Sequence, residues 1–316
     1  MSEARNNQYA SPGRRAWIRF KRNRLGIVSA WYIALLLIAI IAWPIVLKIA
    51  PAHFDQLHDP DRLTDAQFLA PDSRYWFGTD VHGRDVFSRV MYGAQISLLV
   101  GAFGTLVSLV IGVLWGAISG YTGGRTDSVM MRVVDVLYSQ PSIIFVIVLL
   151  TTVGEAIKRV HFVEESPFMA GAERVVLLIV GLGAISWLNM ARIVRGQVLS
   201  LRTRAFVEAS RSLGARPHWI LARHIIPNTF GVIITYLALT IPAIILYESF
   251  LSFLGMGIEP PMASWGTLIA EGAGQINPVR IYWWLIILPA AVLVTTLLAL
   301  NFIGDGLRDA WDIKTK

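Results

Sequence analysis

The sequence predicts an all-α membrane protein with six transmembrane helices, and three observations carry that prediction. Its 316 residues are 55% hydrophobic and only 16% charged, with mean hydropathy +0.56, whereas a soluble domain averages about a quarter charged. Six uncharged apolar stretches approach or exceed the ~20 residues that cross a ~30 Å hydrocarbon core as a helix. Arginines gather in the amino-terminal tail and in one internal loop, while the segment after the first stretch is acidic. A membrane β-barrel does not fit, because the strand alternation it requires is absent and lipid offers no partner to unpaired backbone groups.

In chain order, Arg14, Arg15, Arg19, Lys21, Arg22 and Arg24 precede the run Leu25–Leu47. That run is too long for the core of a signal peptide and lacks a small-residue cleavage site, so it reads as a retained span. Asp55, Asp59, Asp61, Asp65, Asp72, Asp80 and Asp85 follow, against Arg62, Arg74, Arg84 and Arg89. The second stretch, Ile96–Gly120, carries Gly101, Gly104 and Gly112, which allow close helix contact in a medium where helices associate by packing. The third, Val136–Gly154, starts beside Arg132 and Asp135, spaced to pair with each other along a helix. After the fourth, Val175–Ala191, the loop from Arg195 to Asn228 holds Arg195, Arg202, Arg204, Arg211, Arg216 and Arg223 against Glu208 alone. The fifth, Phe230–Tyr247, is followed directly by Glu248, the only acid between Phe230 and Gly257. The sixth is Ile281–Gly304. The positive-inside rule places both termini and the Glu208 loop in the cytoplasm, consistent with an even number of spans. Pro44, Pro141, Pro242 and Pro289 fall in these stretches, and each is expected to bend or open its helix by removing a backbone donor.

The chemistry the chain lacks narrows its function. Without cysteine there are no disulfides, thiolate nucleophiles or cysteine zinc sites. There is no G-x-x-x-x-G-K-[ST] phosphate loop, no H-E-x-x-H pair and no G-x-S-x-G elbow. The histidines are scattered at His53, His58, His82, His161, His218 and His224. Enzymatic activity is not expected, nor is a cofactor or metal in this chain. The net charge of +7 is explained by arginines on one membrane face, so no nucleic-acid partner is invoked.

One polar segment stands out: Glu208-Ala209-Ser210-Arg211-Ser212-Leu213-Gly214, then Ile220, His224, Ile225, Ile226 and Pro227. Phe206, Ala209, Ser210 and Leu213 recur at helical spacing and give a short helix an apolar stripe. Gly214 stands where a helix end takes a left-handed residue, and Pro217 suits the first position of a second helix. A basic amphipathic helix resting on anionic lipid is one reading. The fixed glycine and proline favour the other, a helix-in-groove contact with a second protein. For Glu248 the alternatives are a gating role and an interhelical hydrogen bond. A buried carboxylate is costly unless paired, and we take the hydrogen-bonding role as the expectation.

Further motifs give the family. Phe77-Gly78-Thr79-Asp80, Gly83-Arg84-Asp85-Val86, Ser88-Arg89, Tyr92-Gly93 and Ser97-Leu98 lead to Gly120-Tyr121, Gly123-Gly124, Asp127, Met131-Arg132 and Asp135. Later come Glu248-Ser249-Phe250-Leu251-Ser252-Phe253-Leu254-Gly255, Pro260-Pro261, Ser264-Trp265-Gly266, Asn301 and Gly304-Asp305-Gly306-Leu307-Arg308-Asp309-Ala310. Together with the Glu208 segment, which resembles the "EAA" loop of ABC-importer permeases, the chain resembles the C-type permease of the dipeptide/oligopeptide/nickel importers, and most closely the oligopeptide ones. The resemblance implies a type I importer permease fold with a cytoplasmic coupling helix, in a bacterial cytoplasmic membrane. Residues 1–95 would form the tail, first helix and extracytoplasmic segment, and 96–316 a five-helix core with the coupling loop. It implies a homologous B-type permease, two cytoplasmic ATPase subunits that bind ATP and Mg²⁺, an extracytoplasmic peptide-binding protein, and membrane lipid as partners. ATPase coupling would fall to Phe206, Glu208, Ala209, Leu213, Gly214, His224 and Pro227. Apart from the resemblance, their charge in or beside the spans makes Glu248, Arg132 and Asp135 the candidates for intramembrane polar or gating roles.

The chain departs from the pattern in three places. Ser210 replaces an alanine, Gln95 stands where arginine is common, and the loop from Glu155 to Arg174 is longer than usual. A permease for nickel or another small solute, and a channel or scaffold without ATP, are the alternative functions. The absence of an intramembrane histidine and carboxylate cluster favours peptides over metal.

Overall fold

The computed structural model describes residues 12–160 and 167–311, without side-chain detail at 12, 53, 155–160 and 167–170. Apart from one antiparallel bridge, Thr79 with Asp85, the regular structure among the described residues is helical. A short helix α1 (Pro12–Phe20) turns into α2 (Arg24–Ile49), followed by α3 (Ala52–His58) and an irregular segment. Then come α4 (Val86–Thr122), α5 (Gly124–Tyr138), α6 (Ser142–Val160) and α7 (Pro167–Leu201). Helices α8 (Ala205–Ser212) and α9 (Pro217–Ile220) lead through a π-helical turn, Leu221–Ile225, into α10 (Ile226–Phe253). Helices α11 (Trp265–Ala273) and α12 (Trp284–Trp311) complete the order. Of the long loop expected from Glu155 to Arg174, residues 155–160 belong to α6 and 167–174 to α7, while 161–166 lie outside the described residues.

Among the described residues, five helices are long and apolar enough to cross a bilayer, and α5 with α6 supplies a sixth candidate span, broken by an 86° bend. The bend falls at Ser139–Pro141, where proline disfavours helix in the residue before it and opens the next helix. Helix starts carry side-chain caps: Asn23 accepts from Gly26 N at 3.0 Å, and Asp85 from Ser88 N at 3.0 Å. Ser264 and Thr267 form a reciprocal capping box on α11.

Glycines decide how closely the spans approach. A Cβ on Gly112 would lie 2.6 Å from Met190 Cβ, and one on Gly120 would lie 2.9 Å from the Arg195 carbonyl oxygen. Gly116 is equally tight against Ala191. These three, four residues apart, seat α4 on α7, as small residues do where helices associate without hydrophobic expulsion. Gly101 and Gly104 face Ile245 and Ile244 of α10 instead, so the expected close-contact glycines serve two neighbours.

Pro44, Pro242 and Pro289 all lie within continuous helices, and only Pro141 sits at a break. Pro44 lacks the amide that would bond the Ile40 carbonyl one turn back. The side-chain amide of Gln95 on α4 donates to that carbonyl at 2.7 Å. Gln95 thus completes a hydrogen bond that α2 cannot make for itself, and ties α2 to α4.

Gln95→Leu should leave the Ile40 carbonyl unpaired in a dry environment and cost about 1–3 kcal/mol. The expected outcome is a lower thermal midpoint of the purified protein in detergent, with membrane insertion unchanged.

Candidate functional site

The polar hairpin sits at the end of the bundle where α7 stops and α10 begins. Helix α8 ends at Gly214, whose φ of +80° lies in the left-handed region. The amide of Gly214 bonds Arg211 O, and that of Ala215 bonds Ser210 O, which closes the last turn. Pro217 then occupies the first turn of α9, and Pro227 the first turn of α10.

Two faces of the hairpin do different work. Val207, Ile220 and Ile225 are fully buried in a core with Ala117, Met190, Val194, Val198 and Ile233. These fix the hairpin to α4, α7 and α10. Leu213 points the other way at 88% exposure, and Phe206, Glu208, Ala209, Gly214 and Pro227 are exposed with it; Ser210 is half-buried. The stripe expected from periodicity is therefore the outward one. Val207, next to Phe206, is the inward anchor that the periodic reading did not pick out. Its signal was weak: a single apolar residue about 100° around the helix from its neighbour makes no stripe.

His224 is half-buried, and its ring stands 5.0 Å from Trp219 and 6.2 Å from Phe206. These contacts link α8 to the π-helical turn. Arg211 lies 5.7 Å over the Tyr121 ring at the end of α4. An open cleft of about 830 Å³ runs beside them, lined by Tyr121, Arg202, Glu208, Arg211 and Pro217 among others.

Ion pairs just above the hairpin join the ends of three helices. Arg195 of α7 grips Asp127 of α5 at 2.6 Å through both Nε and Nη2, and Ser119 of α4 bonds the same carboxylate. Arg202 donates to Gly120 O at 3.2 Å. The expected Arg132–Asp135 pair is not formed: Asp135 binds Arg192 of α7 at 2.8 Å. The Arg192 guanidinium lies 4.1 Å over the Tyr138 ring, which holds it beside Asp135, while Arg132 is exposed. Both residues sit on α5, before the bend, rather than at the start of an unbroken span.

Glu248 is fully buried near the other end of α10. It accepts hydrogen bonds from Ser97 of α4 at 2.9 Å, Ser252 at 2.8 Å and Ser249 at 3.3 Å. The amide of Trp265 in turn donates to Ser97 Oγ at 3.3 Å. Glu248 thus joins α4, α10 and the start of α11, and no ion pair among the described residues includes it.

Residues 112–316 match the family of binding-protein-dependent transport system inner membrane components. Residues 11–71 match the N-terminal TM domain of oligopeptide transport permease C. The oligopeptide transport system permease protein OppC of Haemophilus influenzae is 42% identical over 300 residues, which cover 94% of this chain and 87% of that one. The dipeptide transport system permease protein DppC of Bacillus subtilis is 40% identical over 303 residues, 95% of this chain and 85% of that one. OppC of Escherichia coli K12 is 42% identical over 298 residues, 94% and 90% of the two chains.

A Cβ on Gly214 meets nothing within 4 Å, so Gly214→Ala adds backbone strain alone. It should cost about 1–2 kcal/mol in the left-handed conformation, raising amide exchange in the hairpin roughly 5–30-fold while the spans stay protected. At the other end, Glu248→Gln keeps an acceptor and should preserve both stability and transport. Glu248→Leu strands the serine hydroxyls and should cost about 1–3 kcal/mol in thermal unfolding.

Proposed function

The chain belongs to the binding-protein-dependent transport system inner membrane component family, and from that premise we propose that it forms half of a pathway for oligopeptides or dipeptides. It is the import permease of an ABC transporter and is not itself an enzyme. The peptide cargo is supported by its likeness to oligopeptide and dipeptide permeases along nearly its whole length.

The observation that carries the coupling role is the two-sided hairpin. Its inner face is locked into the bundle by Val207 and Ile220, and its outer face presents Leu213 and Phe206 to the surroundings. An exposed leucine at the tip of a rigidly seated helix is a poor surface feature unless a groove receives it. We assign that groove to a cytoplasmic ATPase subunit, with Phe206, Ala209 and Leu213 inserted and Glu208 at its edge. Gly214 and Pro227 set the hairpin's bends, and His224 braces it from within. Force applied there passes through Val207 into α4, α7 and α10 together.

The remaining assembly follows from this reading. A homologous B-type permease completes the pathway, two ATPase subunits bind ATP and Mg²⁺, and an extracytoplasmic binding protein delivers peptide. The protein lies in the bacterial cytoplasmic membrane with both termini in the cytoplasm. The concentration of arginines at the hairpin end supports that orientation, since both described ends, Pro12 and Trp311, belong to helices packed together there. Residues 1–95 supply the tail, first span and outer segment, and 96–316 the permease core. Glu248 serves as an interhelical hydrogen-bond centre, while Arg132 and Asp135 belong to the surface of α5.

Leu213→Ala should reduce co-purification of the ATPase about tenfold, the effect of about 1.4 kcal/mol at one interface anchor. Span packing, read by thermal unfolding, should not change. Vesicles containing the whole complex should accumulate peptides in the presence of ATP. Uptake of a metal ion without peptide uptake would show the cargo assignment to be wrong.

A further inference from the structure

Helix α1 has an inner and an outer side. Ala16 and Phe20, one turn apart, are buried against Ala310 and Trp311 at the end of α12, and Phe20 also closes on Gly26 and Gly306. This clamp holds α1 three residues from the start of the first span, at the level where apolar side chains begin. The outer side carries Trp17 at 54% exposure, with Lys21 lying 5.3 Å over its ring. Arg15, Lys21, Arg22 and Arg24 are exposed around it. Between Pro12 and Ile49 the sequence has no acid to offset them. On the neighbouring helix end, Asp305 and Asp309 are accompanied by Arg308, so a positive surplus remains.

The surface next to α1 indicates what meets it. Leu25, Val28, Trp31, Leu35 and Ile38 of α2 form a continuous exposed stripe of large apolar residues. The face of α2 that meets the bundle is a different one, with Leu36, Ile40, Trp43 and Leu47 buried. The outward row of large apolar side chains is left to acyl chains, which solvate leucine as well as another helix does. Trp17 and its arginines stand where that stripe gives way to polar residues, the depth at which amphipathic rings and basic side chains meet headgroups.

We propose that α1 is a docking surface for the headgroups of anionic phospholipids, with Trp17 at the headgroup boundary and Arg15, Lys21, Arg22 and Arg24 reaching the phosphates. A basic, one-sided helix at the membrane surface binds through both apolar burial and attraction to anionic lipid. The proposal is independent of the cargo. Because α1 is clamped to Trp311, whose ring closes on Gly231 at the start of α10, the same contact also steadies the helix that follows the hairpin.

The chain has no cysteine, so a single fluorophore can be placed at Gly13→Cys, an exposed position with nothing within 4 Å of an added Cβ. The full chain, purified with its partner subunits, is reconstituted in phosphatidylcholine alone or mixed with phosphatidylglycerol. Quenching by headgroup-level spin-labelled lipid is then measured. Stronger quenching in the anionic membrane, reversed by salt, is expected. The triple variant Arg15→Gln/Lys21→Gln/Arg22→Gln should lower the partition of α1 on the order of a hundredfold and abolish the lipid dependence. Trp17→Ser should make the quenching shallower but leave its dependence on anionic lipid. Equal quenching in both membranes would overturn the proposal. So would crosslinking of the Gly13→Cys protein to a partner subunit with no lipid effect, which would make the outer face of α1 a protein interface.

Discussion

Lipid gives two apolar helices no reason to meet, because acyl chains solvate leucine as well as another helix does. What holds α4 to α7 is the space left by Gly112, Gly116 and Gly120, which lets Met190, Ala191 and Val198 come within contact of the facing backbone. Dispersion at that range needs many atoms at close distance, and any Cβ on this ladder would push the helices apart. Everything at the hairpin end is built on the joint. Asp127, Arg195, Ser119 and Arg202 are brought together because α4 and α7 finish side by side.

The hairpin inherits its stiffness from this base. A short polar helix is marginal on its own, since nucleation is costly and α8 has only eight residues. Val207 and Ile220 supply the burial it lacks, and Gly214 and Pro217 set the angle between its two arms. The apolar residues left over, Leu213 above all, are then held outward by a seated element. An exposed leucine on a flexible loop could fold back, but here the backbone prevents it.

Within the membrane polar groups are costly unless they find a partner inside the protein. Glu248 finds serines on α4 and α10, and the Ile40 carbonyl freed by Pro44 finds Gln95. At the far end, Arg89 at the start of α4 binds Asp80 at 2.9 Å and Glu271 of α11 at 2.5 and 3.0 Å. His58 bonds Asp85 at 2.9 Å among the rings of Trp43, Phe54 and Trp76. These links place α11 and the outer segment on the bundle, much as the Asp127 cluster places the hairpin.

The sequence by itself determined the helical class, five of the expected spans and the hairpin's bends, because apolar run length, arginine placement, and single glycine and proline residues act locally. Its motifs were also dense enough to show the family. What it did not contain were the partners of polar side chains. Asp135 is spaced to pair with Arg132 on its own helix but binds Arg192, and Gln95 satisfies a carbonyl 55 residues away. Val207 gave no periodic signal because the core that buries it comes from α4, α7 and α10. Periodicity reports which side of a helix is apolar. Which neighbour that side meets depends on contacts between segments far apart in the chain, and only the packed bundle settles them.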